Sequence, residues 1–545
     1  MKQVVLKVNP KDNVLVALTN LKKGAVIAYE GHEYTLQDDI NAKHKFFMQD
    51  MNAGDHITMY GVLVGKAQNF IPAGGLMTTS NTKHAADPYT YRHVEFEWHA
   101  PDVSKFAGRT FNGYHRSDGR VGTANYWLFV PTVFCENRNL DVIKEALHNE
   151  LGYAVTDKYK SFTKSLLESY NEGKGFDDVD LSHTTKTVNR PFKNVDGIKF
   201  LNHQGGCGGT RQDAGVLGKL LAAYANHPNV AGVTVLSLGC QNLQTQDFLA
   251  ELKAFNPNFD KPLLVFEQQQ SQSEEQLIAD AIKKTFEGLI QINKLERQPA
   301  GLDKLCIGVK CGGSDGFSGI SANPAVGYCS DLVVALGGKI LLAEFPELCG
   351  AEQDLIDRTT NEPAARKFIH LMGTYNAQAE QVGSGFHMNP SPGNIKDGLI
   401  TDAIKSTGAA KKGGTSPVVD VLDYTEQATK PGLNLVCTPG NDVEATTGKA
   451  ASGATLILFT TGLGTPTGNP VCPTIKVSTN SNLTKRMNDI IDIDCGPIVE
   501  GEKTIPQMGE EILEYCIKAA SGEVIPKAVL LNQDDFIPWK RGVSL

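Results

Sequence analysis

The chain has 545 residues, 41% of them hydrophobic, which is enough to bury more than one core, and this length allows about three domains. The formal charge of −9 is mild, and the 52 Lys and Arg residues are scattered rather than gathered into a basic stripe, so nucleic acid is not an expected ligand. The first residues, MKQVVLKVNPKDN, lack the apolar core of a signal peptide, and no apolar run approaches the about 20 residues that span a bilayer. We therefore expect a cytoplasmic protein that does not bind membranes.

Residues 1–84 have the pattern of a small β domain. Short alternating apolar segments, VVLKV, VLVAL and AVIAY, are separated by turns that contain Asn, Asp and Gly. Residues 85–108 mix prolines, aromatic residues and charges without a clear period, which predicts a linker laid over the surface.

From residue 109 onward, apolar strand-like runs alternate with segments of helical period, which is typical of βαβ units and a mostly parallel sheet. A first region, residues 109–300, contains the strand-like runs YWLFVPTV, GIKFLNH, VTVLSLGC and PLLVFEQ. A second region, residues 301–545, contains KLCIGVK, VVALGG, KILLAEF, VVDVL, LNLVC, ATLILFT and TIKVS. The predicted fold class is α/β, with mostly parallel layers in two successive regions behind the β domain.

Four of the eleven cysteines share one predicted position, at or just past the end of a strand: Cys135, Cys207, Cys240 and Cys311. The carboxyl ends of parallel strands lie on one edge of a sheet, where ligands usually bind. The shared position favours a metal or iron–sulfur site made by converging thiolates. The alternative is that each is an ordinary buried cysteine, because the spacings are too wide for a local ligand motif.

Glycine-rich turns interleaved with polar side chains suit a polyhydroxylated anion, although tight turn geometry explains most single glycines. The candidate substrate-binding residues in or near these turns are Asn323, Asn394, Thr438, Asn441 and Asp442. Ser314 and Asp315 are candidate catalytic residues, and His203 is the best acid/base candidate because it lies near Cys207. A lone His is more often structural than functional. No Walker A pattern occurs, so nucleotide binding is not predicted.

Several segments resemble the altronate/galactarate dehydratase family: GRVGTANYWLFVPTVFC, GVTVLSLGCQN, KCGGSDGFSGISANPAVGYCSD, NPSPGN, GLNLVCTPGND and TTGLGTPTGNPVCPTIKVSTNS. The likeness runs from about Gly119 to the C-terminus, and the β domain resembles the SAF module that precedes the catalytic part in that family. The resemblance implies loss of water from an aldonic or aldaric acid to give a 2-keto-3-deoxy acid, with Fe²⁺ as the usual metal. It also implies cysteines at the same four positions.

Two departures from the family pattern bear on the site. Where the SAF module of the family ends in HxHxHN, this chain reads LMTTSNTKH, with Ser80 in place of a His. We therefore expect the β domain to act as a lid or substrate-delivery module rather than to supply metal ligands. The Cys207 loop reads HQGGCGGTRQ, which leaves substrate choice within the family open, while the triplet from Gly440 to Asp442 resembles the altronate branch. D-altronate is the expected substrate and 2-dehydro-3-deoxy-D-gluconate the expected product.

The chemistry of such a reaction restricts the site. A cation must hold the substrate carboxylate and the developing enediolate charge, and an acid must protonate the departing C3 hydroxyl. An iron–sulfur cluster on three cysteines would serve, as would mononuclear Fe²⁺ or another divalent metal with ligands such as Asp315, Glu136 or His203. The alternatives are a galactarate dehydratase, a carbon–sulfur lyase acting on a sulfonated hydroxy acid, or a non-catalytic sugar-acid binding protein. We also expect the protein to form a homo-oligomer and to bind a small sugar acid.

Overall fold

The computed structural model describes residues 3–155, 158–181, 190–542 and 544. The β domain at the amino end consists of three small antiparallel sheets of order β1-β2-β5, β3-β4 and β6-β7-β8. Strands β1 to β8 are Val5–Leu6, Val14–Ala17, Val26–Tyr29, His32–Thr35, Lys45–Phe47, His56–Met59, Val62–Ala67 and Thr82–His84. Their apolar side chains meet in two clusters, one of which continues into the second α/β region.

The first α/β region is built on a four-stranded parallel sheet of order β12-β11-β13-β14. Strands β9 to β14 are Thr110–His115, Val121–Gly122, Tyr126–Pro131, Gly197–Phe200, Val230–Ser237 and Leu263–Glu267. Helices α1 to α5 are Asn137–Leu151, Lys158–Asn171, Arg211–Ala225, Thr245–Phe255 and Glu274–Ile292. All eight residues of β13 are buried, because helices cover both faces of the sheet.

The second α/β region is built on a seven-stranded parallel sheet of order β18-β19-β17-β16-β20-β21-β22. Strands β15 to β22 are Gln298–Gly301, Cys306–Cys311, Lys339–Leu342, Val418–Leu422, Gly432–Val436, Leu456–Thr461, Thr474–Ser478 and Ile493–Asp494. Helices α6 to α15 are Ala322–Ala335, Glu352–Asp357, Glu362–Gln381, Pro392–Lys396, Asp402–Ala410, Asp442–Ala451, Ser481–Arg486, Gly496–Val499, Ile505–Ala520 and Lys527–Leu530.

The predicted α/β fold with parallel layers behind a β-rich domain is confirmed. One strand prediction within it is wrong, because the first three residues of the segment VVALGG form the end of helix α6 and the rest form the turn after it. A short apolar run has the same appearance in a buried helix and in a buried strand, and only the longer period of the whole helix distinguishes them.

The two α/β regions share one apolar core. Side chains of α3, such as Leu220 and Tyr224, pack in the same cluster as Leu341 and Phe459 of the seven-stranded sheet. A small antiparallel sheet of order β10-β9-β15 also joins the start of the first region to its end. The carboxyl edges of the two parallel sheets are therefore held in a fixed relation to each other.

The β domain is bonded to the second region through the turn before β5 and through the first residue of that strand. Lys43 forms ion pairs with Asp315 at 3.0 Å and with Asp397 at 3.2 Å. The Lys45 ammonium, fully buried, donates to the carbonyl of Gly398 at 2.6 Å. In the described part of the chain, no helix is both long and apolar enough to cross a membrane.

Candidate functional site

The carboxyl edge of the seven-stranded sheet carries a buried group of charged side chains, which we call the lysine–glutamate cluster. Its members are Lys310, Cys311, Glu344, Glu347, Lys405, Lys412, Asp442 and Lys449. Strand β16 ends in the first two, the two glutamates follow β17, and α11 begins with Asp442. Adjacent parallel strands end on the same edge, which is why residues far apart in sequence meet here.

Glu344 lies at the centre of the lysine–glutamate cluster and is fully buried. Its carboxylate pairs closely with Lys310, and its Oε2 lies 3.2 Å from Lys412 Nζ and 3.8 Å from Lys449 Nζ. Burial opposes the negative charge, but the three ammonium groups outweigh it and lower the pKa of Glu344 to about 2. Glu344 is thus ionised at any physiological pH.

The backbone of Glu344 adopts a strained conformation at the centre of the cluster. Its φ is +72°, in the left-handed region that non-glycine residues rarely occupy. The Thr438 hydroxyl accepts a hydrogen bond from the Glu344 N–H at 3.0 Å, which holds the turn. Such strain persists only where the surrounding structure enforces it, and it is concentrated at functional sites.

Glu347 and Cys311 form the second half of the cluster. Lys405 pairs with Glu347 at 3.0 Å, the Cys311 thiol donates to Glu347 at 3.5 Å, and the Lys412 ammonium lies 2.8 Å from the sulfur. The ligating atoms of Cys311, Glu344 and Glu347 are within 4.8 Å of one another, as a metal ion requires. The lysines already occupy these atoms, however, so this group suits an anion better than a cation.

Lys449 is the least compensated charge of the cluster. Glu344, Glu347 and Asp442 balance Lys310, Lys405 and Lys412, which leaves no carboxylate for a fourth ammonium. The Lys449 side chain is fully buried, and its Nζ makes no hydrogen bond with any residue that the structure describes. Burial lowers the pKa of Lys449 to about 7, and Glu344 only partly offsets it. A large fraction of Lys449 is therefore a neutral amine at neutral pH.

Cys135, Cys207 and Cys240 meet at the carboxyl edge of the four-stranded sheet, where all three are exposed. They follow β11, β12 and β13, which are neighbouring strands. Backbone hydrogen bonds tie their loops together: the Gly205 carbonyl accepts from Phe134 at 3.0 Å, and the Gly206 carbonyl accepts from Asn242 at 2.8 Å. Burial is the largest cause that raises the pKa of Cys135, and the nearby thiols of Cys207 and Cys240 raise it further.

Gly206 shows how closely the Cys207 loop approaches β11. Its φ is +94°, and a Cβ at this position would lie 2.1 Å from the Thr132 carbonyl oxygen. Only glycine fits there, because both the backbone conformation and the space exclude a side chain. The close approach brings the Cys207 thiol beside the turn that carries Cys135.

A cavity of about 580 Å³ lies beside Cys207. Polar side chains of Asn137, Gln204 and Asn242 line it from the first region, and Glu444 lines it from helix α11 of the second. Burial raises the pKa of Glu444. Asp442, two residues earlier in the first turn of α11, pairs with Lys310 at 2.9 Å. The first turn of α11 therefore contributes Asp442 to the lysine–glutamate cluster and Glu444 to the cavity.

The structure separates Cys311 from the three other cysteines predicted to share its site. Cys311 ends a strand of the seven-stranded sheet and is buried, whereas the others follow strands of the four-stranded sheet. The common strand-end position was read correctly, but the strands belong to two sheets with separate edges. A single site made by all four thiols is not what the geometry supports.

The predicted acid/base residue His203 is engaged with the backbone at both ring nitrogens. Its Nε2 lies 2.8 Å from the Pro131 carbonyl and its Nδ1 accepts from the Gly205 N–H at 3.0 Å. Burial lowers the pKa of His203 to about 4. The ring is thus a neutral support for the Cys207 loop rather than a free acid or base.

Ser314 and Asp315, the other predicted catalytic residues, lie where the β domain meets the second region. Asp315 accepts from Thr479 at 3.1 Å and pairs with Lys43 of the β domain. The Ser314 carbonyl accepts from the Asn394 side chain at 2.8 Å. The geometry therefore assigns Asp315 to docking the β domain, and it does not lie in the lysine–glutamate cluster.

The predicted substrate-binding residues have different roles in the structure. Asp442 belongs to the lysine–glutamate cluster, and Thr438 holds the Glu344 turn behind it. Asn441 caps α11 by accepting from two backbone N–H groups. Asn323 bridges Thr460 and the Gly408 carbonyl, and Asn394 is part of the capping box of α9. These last three organise the turns at the ends of strands and helices.

The lysines of the cluster and both glutamates were not predicted from the sequence. A signal was present: Lys310 interrupts the apolar strand CIGVKC, and Lys449 stands among small residues in ATTGKAASGA. Lysine is almost never fully buried unless it is paired or functional, so a lysine in such a run is itself informative.

Family models match the chain in three consecutive pieces. They are the altronate/galactarate dehydratase SAF domain at residues 3–85, the D-galactarate dehydratase/altronate hydrolase second domain at 113–293 and the D-galactarate/altronate dehydratase C-terminal domain at 302–544. The altronate dehydratase of Bacillus subtilis (strain 168) is 34% identical over 544 residues, and that of Escherichia coli (strain K12) is 33% identical over 548, each covering 99% of both chains. The galactarate dehydratase (L-threo-forming) of Escherichia coli (strain K12) is 31% identical over 525 residues, 95% of this chain and 93% of that one.

Proposed function

Because the chain belongs to the D-galactarate/altronate dehydratase family, we propose that it is a hydro-lyase that removes water from D-altronate to give 2-dehydro-3-deoxy-D-gluconate. The observation that carries the proposal is Lys449, which is buried in a group of paired charges, makes no hydrogen bond with the described residues and has only a distant carboxylate, that of Glu344 at 3.8 Å. A base with a pKa near the working pH is the most effective for proton abstraction.

The first step is loss of the proton at C2, next to the substrate carboxylate. In the proposed reaction the neutral amine of Lys449 accepts this proton. The ammonium groups of Lys310 and Lys412 then stabilise the enediolate charge that develops on the carboxylate, since they are buried where charge–charge interactions are strong. The substrate lies along the first turn of α11, with its carboxylate toward Lys310 and its hydroxyl groups in the 580 Å³ cavity.

The second step is loss of the C3 hydroxyl, which needs a proton. Glu444 is the proposed donor, because it is a carboxyl group that lines the cavity and burial raises its pKa. The amide side chains of Asn137, Gln204 and Asn242 offer hydrogen bonds to the remaining hydroxyl groups of a polyol.

The proposed metal is iron, held by Cys135, Cys207 and Cys240. The donor set fits, because three exposed thiols on neighbouring loops are soft ligands of the kind that hold iron or an iron–sulfur cluster with one position left open. When bound, the metal would supply a Lewis acid for the departing hydroxyl. Cys311 is left out of this set, because it belongs to the lysine–glutamate cluster.

The proposal is tested with protein purified anaerobically, analysed for iron and sulfide, and supplied with D-altronate, galactarate and a sulfonated hydroxy acid. We expect 2-keto-3-deoxy acid from altronate at a higher rate than from galactarate, and no sulfite. Release of sulfite would assign the chain to carbon–sulfur cleavage instead. Failure to release keto acid from any sugar acid, with iron present, would leave only a binding function.

The iron site is tested separately by Cys135→Ser, Cys207→Ser and Cys240→Ser. Each change should lower iron content and turnover together, because a hydroxyl is a harder and weaker ligand for this iron. The matched controls are Cys437→Ser and Cys516→Ser, whose thiols are buried in the core of the second region and should leave iron unchanged. Full iron and full turnover in all three site variants would contradict the thiolate site.

A further inference from the structure

A second group of ligating side chains lies where the β domain meets the second α/β region. His84 is the last residue of β8, Cys349 follows a short 3-10 helix after β17, and Asp402 is the first residue of α10. One ligand atom of each lies within 4.8 Å of the others. The three residues come from three separate elements, so only the folded arrangement of both domains brings them together.

Asp402 supplies an independent sign that a ligand belongs here. Its side chain is 1% exposed, and its Oδ1 accepts from the Ser406 hydroxyl at 3.1 Å. Its Oδ2 is buried and makes no hydrogen bond of ordinary geometry with the residues that the structure describes. The Cys349 thiol interacts with the Asp402 carboxylate, but a thiol is only a weak donor. A buried carboxylate oxygen without a partner is costly, and a bound cation would remove that cost.

The protonation chemistry of the three groups suits a divalent cation. Burial lowers the pKa of His84, which keeps its imidazole neutral and able to coordinate. Burial raises the pKa of Asp402 to about 7 and, with the neighbouring carboxylate, raises that of Cys349 far above its usual value. Without a cation, the thiol and the carboxylate cannot both ionise; with one, both negative charges are compensated.

We propose that His84, Cys349 and Asp402 form a binding site for a divalent cation of borderline softness, with Zn²⁺ as the best match, distinct from the iron site at Cys135, Cys207 and Cys240. One nitrogen, one sulfur and one oxygen ligand make a set that Zn²⁺ accepts in tetrahedral geometry with bond lengths of about 2.0–2.3 Å. The fourth position is open to water or to Glu352, a buried carboxylate whose charge acts on Cys349.

The backbone around the proposed cation site is closely packed. A Cβ on Gly350, the residue after Cys349, would lie 3.1 Å from the Ala403 Cβ, so this loop packs tightly on the start of α10. The Ala403 N–H approaches His84 Nδ1 at 3.4 Å, a long contact that a metal bond would replace. The neighbouring Thr401 hydroxyl donates to the Val64 carbonyl of the β domain at 2.8 Å.

The proposed cation would fasten the β domain to the lysine–glutamate cluster. Cys349 lies two residues after Glu347, and Asp402 lies one helical turn before Lys405, which pairs with Glu347. A metal bonded to both elements and to His84 would therefore fix the ends of the Glu347–Lys405 pair relative to the β domain. The β domain would then supply a metal ligand through His84, contrary to the expectation from Ser80.

The test uses full-length protein carrying Cys135→Ser, Cys207→Ser and Cys240→Ser, so that the iron site is absent, after removal of metal with a chelator. We expect one equivalent of Co²⁺ to bind and to give a thiolate-to-cobalt charge-transfer band, which one equivalent of Zn²⁺ then removes. Adding Cys349→Ser should abolish the band, whereas adding Cys437→Ser should leave it unchanged.

Two further measurements keep the test decisive if Cys349→Ser fails to fold. His84→Asn, at a half-exposed position, should lose stoichiometric Zn²⁺ and Co²⁺ binding while retaining the fold. Zn²⁺ should raise the unfolding temperature of the parent protein and leave that of His84→Asn unchanged. Absence of stoichiometric Co²⁺ binding, or a charge-transfer band that survives either variant, would overturn the site.

Discussion

Replacing Lys449 with methionine should make the protein more stable and inactive at the same time. Folding lowers the pKa of Lys449 from 10.5 to about 7. Each pKa unit corresponds to about 1.4 kcal/mol, so at pH 7 the buried lysine costs the folded state about 4 kcal/mol relative to the unfolded chain. Methionine has a similar length and no charge, and Glu344 keeps Lys310 and Lys412 as partners. Lys449→Met should recover about half or more of that cost.

The stability gained by Lys449→Met should depend on pH. Because the folded-state pKa of Lys449 is lowered, the unfolded chain binds more protons between pH 7 and pH 10.5, and the stability of the unmodified protein should rise with pH across this window. The advantage of Lys449→Met should therefore be largest at and below pH 7 and should fade toward pH 10.5. Urea unfolding of both proteins at several pH values, followed by circular dichroism, measures this difference.

The same variant should lose turnover of D-altronate by about a thousandfold or more, because general base catalysis alone is worth about 10²–10⁴. Lys253→Met, at an exposed position on α4, is the matched control and should change neither stability nor turnover. A Lys449→Met protein that is much less stable than its parent, or that retains normal turnover, would refute the assignment of Lys449 as a poorly compensated buried base.

Two other substitutions test contacts of the site. Lys43→Met should destabilise the docked β domain by about 3 kcal/mol, because it leaves the fully buried Asp315 without its cationic partner. The control is Lys22→Met, in the exposed pair with Asp39, which should have no measurable effect. Denaturant unfolding of both variants measures the difference. Gly312→Ala would place a Cβ 2.5 Å from Asp442 Oδ2 and 2.6 Å from the Phe459 ring, so it should displace Asp442 from Lys310 and lower turnover, with a stability loss of about 1–3 kcal/mol. Unchanged kinetics in Gly312→Ala would show that the Lys310–Asp442 pair is not needed.

The strands that carry the site could be predicted from the sequence because they are buried on both faces and appear as apolar runs. Cys135, Cys207 and Cys240 were placed together for that reason, since each follows such a run. Cys311 was placed with them because a strand's period does not reveal which sheet the strand joins. Which sheet a strand joins depends on the crossover connections, here those through α6 and the helices after it.

The lysine–glutamate cluster could not be predicted, because its members are brought together by tertiary contacts alone. Glu344 and Lys449 are 105 positions apart in sequence, and the left-handed conformation of Glu344 has no signature in the residue type. His203 was assigned a catalytic role from its closeness to Cys207 in sequence, yet its ring supports the backbone of that loop. Nearness along the chain could not reveal that both ring nitrogens contact the backbone.

The most direct test of the acid–base assignment is the pH dependence of kcat/KM for D-altronate, compared between the unmodified protein and Glu344→Gln. We predict that kcat/KM rises with pH through an apparent pKa of about 7, because Lys449 loses its proton in that range. Removing the Glu344 charge takes away the largest electrostatic interaction that raises the pKa of Lys449, so the rising limb should move to lower pH even if the maximal rate falls. A limb that stays in place in Glu344→Gln, or persists in Lys449→Met, would contradict the central claim that Lys449 is the base.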